Sequence, residues 1–218
     1  MAKKNEAAII EIKPINIVTT TVRIAGDTPL IMHRWSQKAI TIIKDKQTKK
    51  AKIGAREAKN PVEDFIESIY WIEGKPKEYT EEAFKEACDN GARFGFPVTA
   101  LKQATISSAY RNGITKDMAS LRGAFFIGGE GSELLAEVKG CTPTMREDMV
   151  RVGMGVADIR FRGEFSSWYM DLQVSYNANG IYTLDQIINL INLGGFSCGI
   201  GEWRPEKDGN YGMYHVAG

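Results

Sequence analysis

The sequence predicts an α+β fold in which helices pack on an antiparallel sheet, and three patterns carry this prediction. Residues Ile15 to Ile24 are dense in β-branched side chains, as strands are. Trp168 to Tyr176 alternate between apolar and polar side chains, and Thr183 begins a capping box for an apolar helix. One-sided alternation is typical of an antiparallel sheet with one wet face, and does not suit a parallel sheet buried on both faces.

Length and composition limit the class of protein. A chain of 218 residues can bury one sizeable core, and 43% hydrophobic with 25% charged residues excludes fibrous, low-complexity and disordered chains. The formal net charge of +1 provides no global field for an acidic or a basic partner. Any electrostatic function must therefore come from how the charges are distributed.

Cysteine and histidine are scarce, which argues against several classes of site. The three cysteines, Cys88, Cys141 and Cys198, are odd in number and far apart, so neither a disulfide framework nor a zinc knuckle is expected. His33 and His215 are isolated in the sequence, which argues against a multi-histidine zinc site and against a Ser-His-Asp hydrolase. We expect no cofactor and no metal. The sequence shows no signal peptide or apolar span, so a cytoplasmic protein that contacts no membrane is expected.

The first strand ends at Gly26, and Thr28-Pro29 separates it from the next element. Apolar residues then recur at helical spacing from Pro29 to Ile43, which predicts a helix there.

A charge-polarised insertion spans residues 34–90. Arg34 to Asn60 holds nine basic residues against two acidic ones, which predicts a mobile basic arm. Pro61 to Asn90 holds nine acidic residues against three lysines. Helices are predicted to begin at Pro61, after an Asn60 N-cap, and after Thr80.

The remaining elements complete the order of the fold. They are a helix from Pro97 to about Tyr110, strands around Leu121 to Ile127 and Leu134 to Val138, a helix after Thr183 that ends at Gly194-Gly195, and a β-rich stretch from Ile200 to Val216. Without the insertion this order is that of a ferredoxin-like or RNA-recognition-like domain.

Three groups of residues are candidates for contact with nucleic acid, and each has a structural alternative. Lysines of the basic arm would meet phosphates, although such an arm is ordinarily a solvated loop. Arg151, Arg160 and Arg162 could follow a phosphate backbone, or could pair with Glu147, Asp148, Asp158 and Glu164 on a solvated surface.

The third group is a glycine-rich run near the C-terminus. Gly199 and Gly201, followed by Arg204, allow close approach of a phosphate-bearing strand, or they simply belong to a bulged strand. Trp35 and Trp203 could stack on bases, although aromatic residues are more often core. Asp27, in the turn after the first strand, is the one carboxylate that is a candidate for a metal-dependent nuclease, and the alternative is a simple turn residue.

Three motifs in this order resemble the RAMP superfamily, specifically the backbone subunits of CRISPR effector complexes. Gly95 to Ala104, with Lys102, looks like that family's Pro-x-Ser-Ser-Leu-Lys-Gly helix start. Met149-Val150-Arg151-Val152 is similar to its Arg-Val strand, and Gly194 to Gly201 resembles its glycine-rich loop. The stretches Met145–Met149 and Gly199–Lys207 also look like uncharacterised proteins of tailed bacteriophages. The resemblance implies a RAMP-type fold with an inserted arm or thumb, and side-by-side assembly along a single strand.

The sequence therefore predicts a single domain over residues 1–218 that binds single-stranded nucleic acid without sequence preference, as a cooperative, filament-like homo-oligomer and not as an enzyme. Its partners would be copies of itself and CRISPR-type or phage replication and recombination proteins, in the host cytoplasm if the protein is phage-encoded. Two alternatives stay open: a metal-dependent ribonuclease that uses Asp27, and a structural assembly protein without nucleic acid. The residues predicted to contact nucleic acid are Trp35, Lys38, Lys46, Lys49, Lys50, Lys52, Lys102, Arg151, Arg160, Arg162, Gly199, Gly201, Trp203 and Arg204.

Overall fold

Two antiparallel sheets and six α-helices make up the computed structural model, which describes residues 13–48, 59–152 and 155–218. In chain order the elements are β1 (Ile17–Gly26), β2 (Leu30–Met32), α1 (Gln37–Gln47), α2 (Pro61–Ser68), β3 (Trp71–Glu73), α3 (Glu81–Asp89), β4 (Arg93–Pro97), α4 (Val98–Arg111), α5 (Met118–Arg122), β5 (Phe125–Ile127), β6 (Leu135–Gly140), β7 (Thr144–Val152), β8 (Val156–Phe165), β9 (Trp168–Asn177), α6 (Leu184–Ser197), a short 3-10 helix (Pro205–Lys207) and β10 (Tyr214–Val216).

The larger sheet has seven strands, and its longest pairing joins β1 to β9. Its order is β10-β1-β9-β6-β4-β3, and β5 pairs with β9 beside β6. Every pairing is antiparallel. The prediction of an α+β fold with an antiparallel sheet is thus confirmed. Helices α4 and α6 pack against each other, and buried side chains of β1 and β9 such as Ile24 and Leu172 join the core.

A smaller sheet, in the order β2-β8-β7, stands beside the first. Its β7–β8 hairpin pairs from Thr144 opposite Glu164 to Val152 opposite Val156. Phe165 of this sheet meets Phe94 of the larger sheet with ring centroids 5.5 Å apart. One apolar core therefore joins both sheets.

Local start signals gave several correct predictions. The Asn60 side chain accepts hydrogen bonds from the backbone at the start of α2, and Thr80 caps α3 in the same way. Thr183 and Gln186 form the predicted capping box of α6, and β9 spans the predicted alternating strand. These signals act between residues that are close in the sequence, so they do not depend on tertiary contacts.

The helix predicted from Pro29 to Ile43 is wrong for its first half and correct from Gln37 onward. Leu30, Ile31 and Met32 form β2, are fully buried and pair with β8, and α1 begins only at Gln37. The segment is a strand because it pairs with residues more than 130 positions later, and the spacing of apolar residues contains no information about such a partner. Within the predicted basic arm, 37–47 are helical, and residues 49–58 lie outside the described part of the chain.

Two predictions in the second half are also corrected. Residues 118–122 form α5, so the strand predicted from Leu121 is only Phe125–Ile127. Gly194 and Gly195 do not end α6, which continues to Ser197. They lie inside the helix because it packs closely there: a Cβ on Gly194 would lie 3.0 Å from the Thr105 nitrogen, and one on Gly195 would overlap the Tyr214 carbonyl.

The predicted β-rich stretch from Ile200 to Val216 contains one strand, β10, and the short 3-10 helix. Strands β3, β4 and β8 carried no sequence prediction. Among the described residues, no helix is both long enough and apolar enough to cross a membrane.

Candidate nucleic-acid interface

A cleft of about 420 Å³ lies between the chain that leaves β2, helices α1 and α2, and the β7–β8 hairpin, with β8 contributing Arg160, Phe161 and Arg162. It exists because β2 ends at Met32, opposite Gly163, while β8 extends farther toward its N-terminal end. The departing chain is fixed to α2, since the Arg34 backbone N–H donates to the Ser68 carbonyl over 2.8 Å. One edge of β8 therefore faces the cleft.

Three of the predicted residues meet in this cleft. Trp35, Arg160 and Arg162 all line it, although Trp35 stands 125 positions before Arg160. The Trp35 side chain is 59% exposed, which leaves an indole at the surface of a basic cleft and outside the core. Aromatic and basic groups are thus combined in one concave site.

Arg162 is held at the base of the cleft by its own charged partners. Only 6% of its side chain is exposed, and its Nη1 donates to Asp148 Oδ2 over 2.9 Å. Its Nη2 lies 3.4 Å from His33 Nδ1 and 3.8 Å from Glu202 Oε2. The prediction that Arg162 follows phosphates is corrected accordingly: the side chain is paired with the buried carboxylate of Asp148 and the partly exposed one of Glu202, and it forms the floor of the cleft.

The carboxylate of Asp148 is the centre of this network. Burial alone would raise its pKa, but hydrogen bonds from Arg146, Arg162 and Trp203 hold the pKa below its usual range. His33 Nδ1 lies 3.2 Å from Glu202 Oε1, and this contact lowers the pKa of Glu202. The structural alternative included a pairing of Arg162 with Asp148, although it placed the pair on a solvated surface and the structure buries it.

Arg160 is more accessible and lies at the wall of the cleft. Its Nη2 is 3.1 Å from Asp158 Oδ2, and Asp158 also accepts a hydrogen bond from Lys59. The Lys59 contact, with burial opposing it, lowers the pKa of Asp158. Because two cations share this carboxylate, the group Lys59, Asp158 and Arg160 carries a net positive charge.

His33 and Arg34 are cleft residues that the sequence analysis missed. Arg34 Nη2 donates to Glu133 Oε1 over 2.7 Å, a hydrogen bond that raises the pKa of Arg34. Arg34 also lines a neighbouring cavity of about 700 Å³ beside β3 and the turn between β5 and β6. Their position next to Trp35 in the sequence was the available signal.

The glycine-rich run is explained by packing within the chain. Gly199 and Gly201 have φ angles of +65° and +78°. A Cβ on Gly199 would lie 2.8 Å from Pro205 Cδ, and one on Gly201 would lie 2.5 Å from the Ile31 carbonyl oxygen. Both positions favour glycine for conformation and for space, and the close neighbours are protein atoms.

Trp203 and Arg204 follow in the same loop, and both side chains form hydrogen bonds within the protein. Trp203 Nε1 lies 3.3 Å from Asp148 Oδ2, and Arg204 donates to Glu206 and to the Gly201 carbonyl. Arg204, Gly199, Gly201 and His33 line a smaller cavity of about 210 Å³ against α4. His33 thus stands between this cavity and the cleft.

The remaining predicted residues lie elsewhere or cannot be placed. Lys102 Nζ lies 4.1 Å from the ring centroid of Phe126, and Arg151 is exposed near the end of β7. Lys38 and Lys46 belong to α1, and the side chain of Lys46 is not among the described ones. Lys49, Lys50 and Lys52 lie outside the described residues.

Asp27 is paired with the second histidine. Its Oδ1 lies 2.6 Å from His215 Nδ1, at an exposed end of the larger sheet. Within the described ranges, no group of three or more His, Cys, Asp or Glu side chains could hold a metal ion.

The sequence has no match among protein-family models or curated proteins.

Proposed function

We propose that this protein binds single-stranded nucleic acid without sequence preference, with the cleft around Trp35 as its contact site. One observation carries the proposal: an exposed indole and the guanidinium groups of Arg34 and Arg160 line one concave surface. Lys59 lies beside it and shares the Asp158 carboxylate with Arg160. Base stacking on an aromatic ring contributes about 1–3 kcal/mol per base and tolerates any base. Phosphate contacts add affinity without reading sequence.

Each nucleic-acid contact would replace a pairing made by the free protein. Arg34 would exchange Glu133 for a phosphate, and Arg160 would exchange Asp158, while Lys59 keeps that carboxylate paired. Arg162 stays with Asp148 and supports the floor of the cleft. The size of the cleft, about 420 Å³, falls in the range of about 300–1,000 Å³ common for ligand sites.

The strand order supports a ferredoxin-like, RNA-recognition-like architecture of the RAMP type as part of this proposal. β1, α4, β6, β9, α6 and β10 follow one another as two βαβ halves, and β10 lies beside β1 while β6 lies beside β9. Residues 34–90 form the insertion between the first strand and the rest. The same proposal includes assembly into a cooperative homo-oligomer along the bound nucleic acid. It also includes a phage or CRISPR-related setting and the absence of catalysis.

The test is a binding titration with fluorescent single-stranded RNA, single-stranded DNA and duplex at two salt concentrations. Trp35→Ala should weaken single-strand binding about tenfold, since a stacked base is lost. Arg160→Glu should weaken it by a similar factor and reduce the salt slope by about one, because one phosphate contact disappears. If Trp35→Ala and Arg160→Glu bind single-stranded RNA and single-stranded DNA as tightly as the wild type does, the cleft is not the binding site.

Two control variants make the same chemical change away from the cleft. Tyr110→Ala removes an exposed aromatic ring of α4, and Arg122→Glu reverses an exposed charge on α5. Both should bind as the wild type does, and all four variants should keep the thermal midpoint within a few degrees.

The same preparations separate the two alternatives. Incubation of labelled RNA with Mg²⁺ or Mn²⁺ would reveal the ribonuclease alternative if cleavage occurs and is lost in Asp27→Ala. A folded protein that binds neither single-stranded RNA nor single-stranded DNA at low salt would favour the structural assembly protein.

A further inference from the structure

The outer edge of β7 is a long unpaired strand edge. β7 spans nine residues at the end of the β2-β8-β7 sheet, and no strand within the described part of the chain pairs with its outer side. The end strands of the larger sheet, β3 and β10, have only three residues each. A long free edge presents a row of N–H and C=O groups that can pair with another strand.

Hydrogen bonds of β8 identify which β7 groups point outward. The Gly163 N–H donates to Ser68 Oγ over 2.9 Å, and the Ile159 carbonyl accepts from Lys59 Nζ over 2.7 Å. Odd-numbered residues of β8 therefore direct their backbone groups away from β7. In an antiparallel pair, opposite residues share the same direction relative to the partner strand. Since Met149 lies opposite Ile159, the odd-numbered residues of β7 direct theirs to the free edge.

The side chains of this edge are complementary to themselves. Met149 is 79% exposed and stands between Glu147 and Arg151, which are exposed and make no ion pair with any described residue. All three lie on one face of the hairpin, together with Ile159, which is 46% exposed. A negative, an apolar and a positive side chain thus follow one another at alternate positions.

We propose that two copies of this chain pair through β7, antiparallel and about a two-fold axis at Met149. Met149 then faces Met149 of the second copy, and Glu147 of each copy faces Arg151 of the other. The outward backbone groups of these residues meet in hydrogen-bonded pairs, and the two sheets join into one six-stranded sheet. An apolar row forms across the junction from Ile159 through both Met149 side chains to the second Ile159.

Neighbouring registers are less favourable. A register centred on Glu147 sets two glutamates opposite each other, and one centred on Arg151 does the same with two arginines. Like charges directly opposite each other destabilise a sheet. Registers centred on Asp148 or Val150 still match outward groups with outward groups, but they set Met149 opposite Glu147 or Arg151, so the methionine pair and both charge pairs are lost. Sliding one strand by a single residue would set outward groups of one strand against inward groups of the other, so backbone pairing would be lost.

This interface is independent of the proposed nucleic-acid site. The cleft lies toward β2, Val150 is the one β7 residue that lines it, and the facing residues Glu147, Met149 and Arg151 do not line it, so it stays open in the pair. An interface that uses the same surface on both copies closes on itself as a dimer, so it forms without nucleic acid and adds no further copies. It refines the proposed homo-oligomer by assigning one contact, and any longer assembly would need a second one.

Charge reversal with restoration tests the pairing in the full-length protein without nucleic acid. Sedimentation velocity over about 1–100 µM measures the monomer–dimer equilibrium. Glu147→Arg and Arg151→Glu should each raise the dimer dissociation constant at least about tenfold, because the symmetry places each change in two pairs. The double variant Glu147→Arg/Arg151→Glu should restore the wild-type constant to within about threefold, since it exchanges the signs of both pairs.

A cross-link tests the register independently. Met149→Cys should form a disulfide-linked dimer on mild oxidation, because residues opposite each other in a hydrogen-bonded antiparallel pair have Cα atoms about 5.5 Å apart. Arg151→Cys should not form such a dimer, because Arg151 is four strand positions away from Arg151 of the second copy. The wild type, with its three cysteines, should not form one either. A wild type that stays monomeric, single reversals that leave the dimer unchanged, or a folded double variant that stays monomeric would each overturn the proposal.

Discussion

At the scale of single residues, Asp148 explains why the arginines of the hairpin are not simply a basic patch. Its carboxylate is 6% exposed and accepts from Arg146, Arg162 and Trp203. Buried charges persist only where they are paired, and removal of one partner leaves the other uncompensated. Asp148 thus fixes Arg162 below the cleft and leaves Arg160 as the accessible arginine beside Trp35.

Replacing Asp148 should be strongly destabilising at neutral pH. We expect Asp148→Asn to lower the free energy of unfolding by about 3 kcal/mol, because Arg162 would lose its buried counter-charge. The pKa of Asp148 is lower in the folded than in the unfolded chain, so its contribution is present above the unfolded pKa and is lost as pH falls through the folded one. Urea titrations should therefore show a difference between variant and wild type that narrows below about pH 4. An equal difference at pH 7 and pH 3 would contradict this account.

Glu133 should act as a competitor of nucleic acid. It pairs with Arg34 over 2.7 Å, so Glu133→Gln removes a negative charge and releases Arg34 toward the cleft. We expect single-strand affinity to rise about threefold and its salt dependence to steepen. Glu82→Gln, the same change on the exposed face of α3, should leave binding as it was. Weaker binding by Glu133→Gln would show that the Arg34–Glu133 pair supports the site.

At the scale of elements, α6 shows glycines used for close packing inside a helix. Gly194 and Gly195 are buried where α6 approaches α4 and the strand β10. Glycine normally weakens a helix relative to alanine by roughly 0.5–1 kcal/mol. The absence of a Cβ at these positions is what lets the three elements meet.

Adding one methyl group should show whether glycine at this position serves close packing. Gly195→Ala should destabilise the protein by about 2 kcal/mol despite the better helix propensity of alanine, because its Cβ would overlap the Tyr214 carbonyl. Gly123→Ala is the matched control: its φ is −92° and nothing lies within 4 Å of the added Cβ. That variant should be unchanged or slightly more stable in a urea titration. A Gly195→Ala protein as stable as the wild type would refute the packing role.

At the scale of the whole molecule, the insertion shares the core of the sheet. Phe65, Ile66 and Ile69, in and just after α2, belong to the same buried apolar cluster as Val22 and Ile24 of β1. The Ser68 hydroxyl and carbonyl bind β8 and the chain after β2. The acidic part of the insertion is thus integrated with the fold and is not an appended unit.

Unfolding should accordingly be one cooperative transition. Far-UV circular dichroism reports mainly on the helices, and fluorescence reports on four tryptophans, of which Trp35 and Trp71 lie in the insertion and Trp168 lies in β9. Because these regions share one core, the curves in urea should coincide, with a single midpoint. Two separated midpoints would mean that residues 61–90 unfold independently.

Features that depend on near neighbours could be predicted from the sequence. Asn60, Thr80 and Thr183 cap helices through atoms two or three residues away, and the alternation of β9 follows from having one buried face. The same local reasoning identified Trp35 and Arg160 as candidates but not their proximity. Tertiary structure alone decided that proximity, as it decided that Leu30–Met32 is a strand and that α6 continues through its glycines. The deciding contacts lie at β8 for Leu30–Met32 and at α4 and β10 for the glycines, and burial against these partners outweighs local propensity. Trp35 stays exposed, and it lies near Arg160 because the chain that leaves β2 is bound to α2 beside β8.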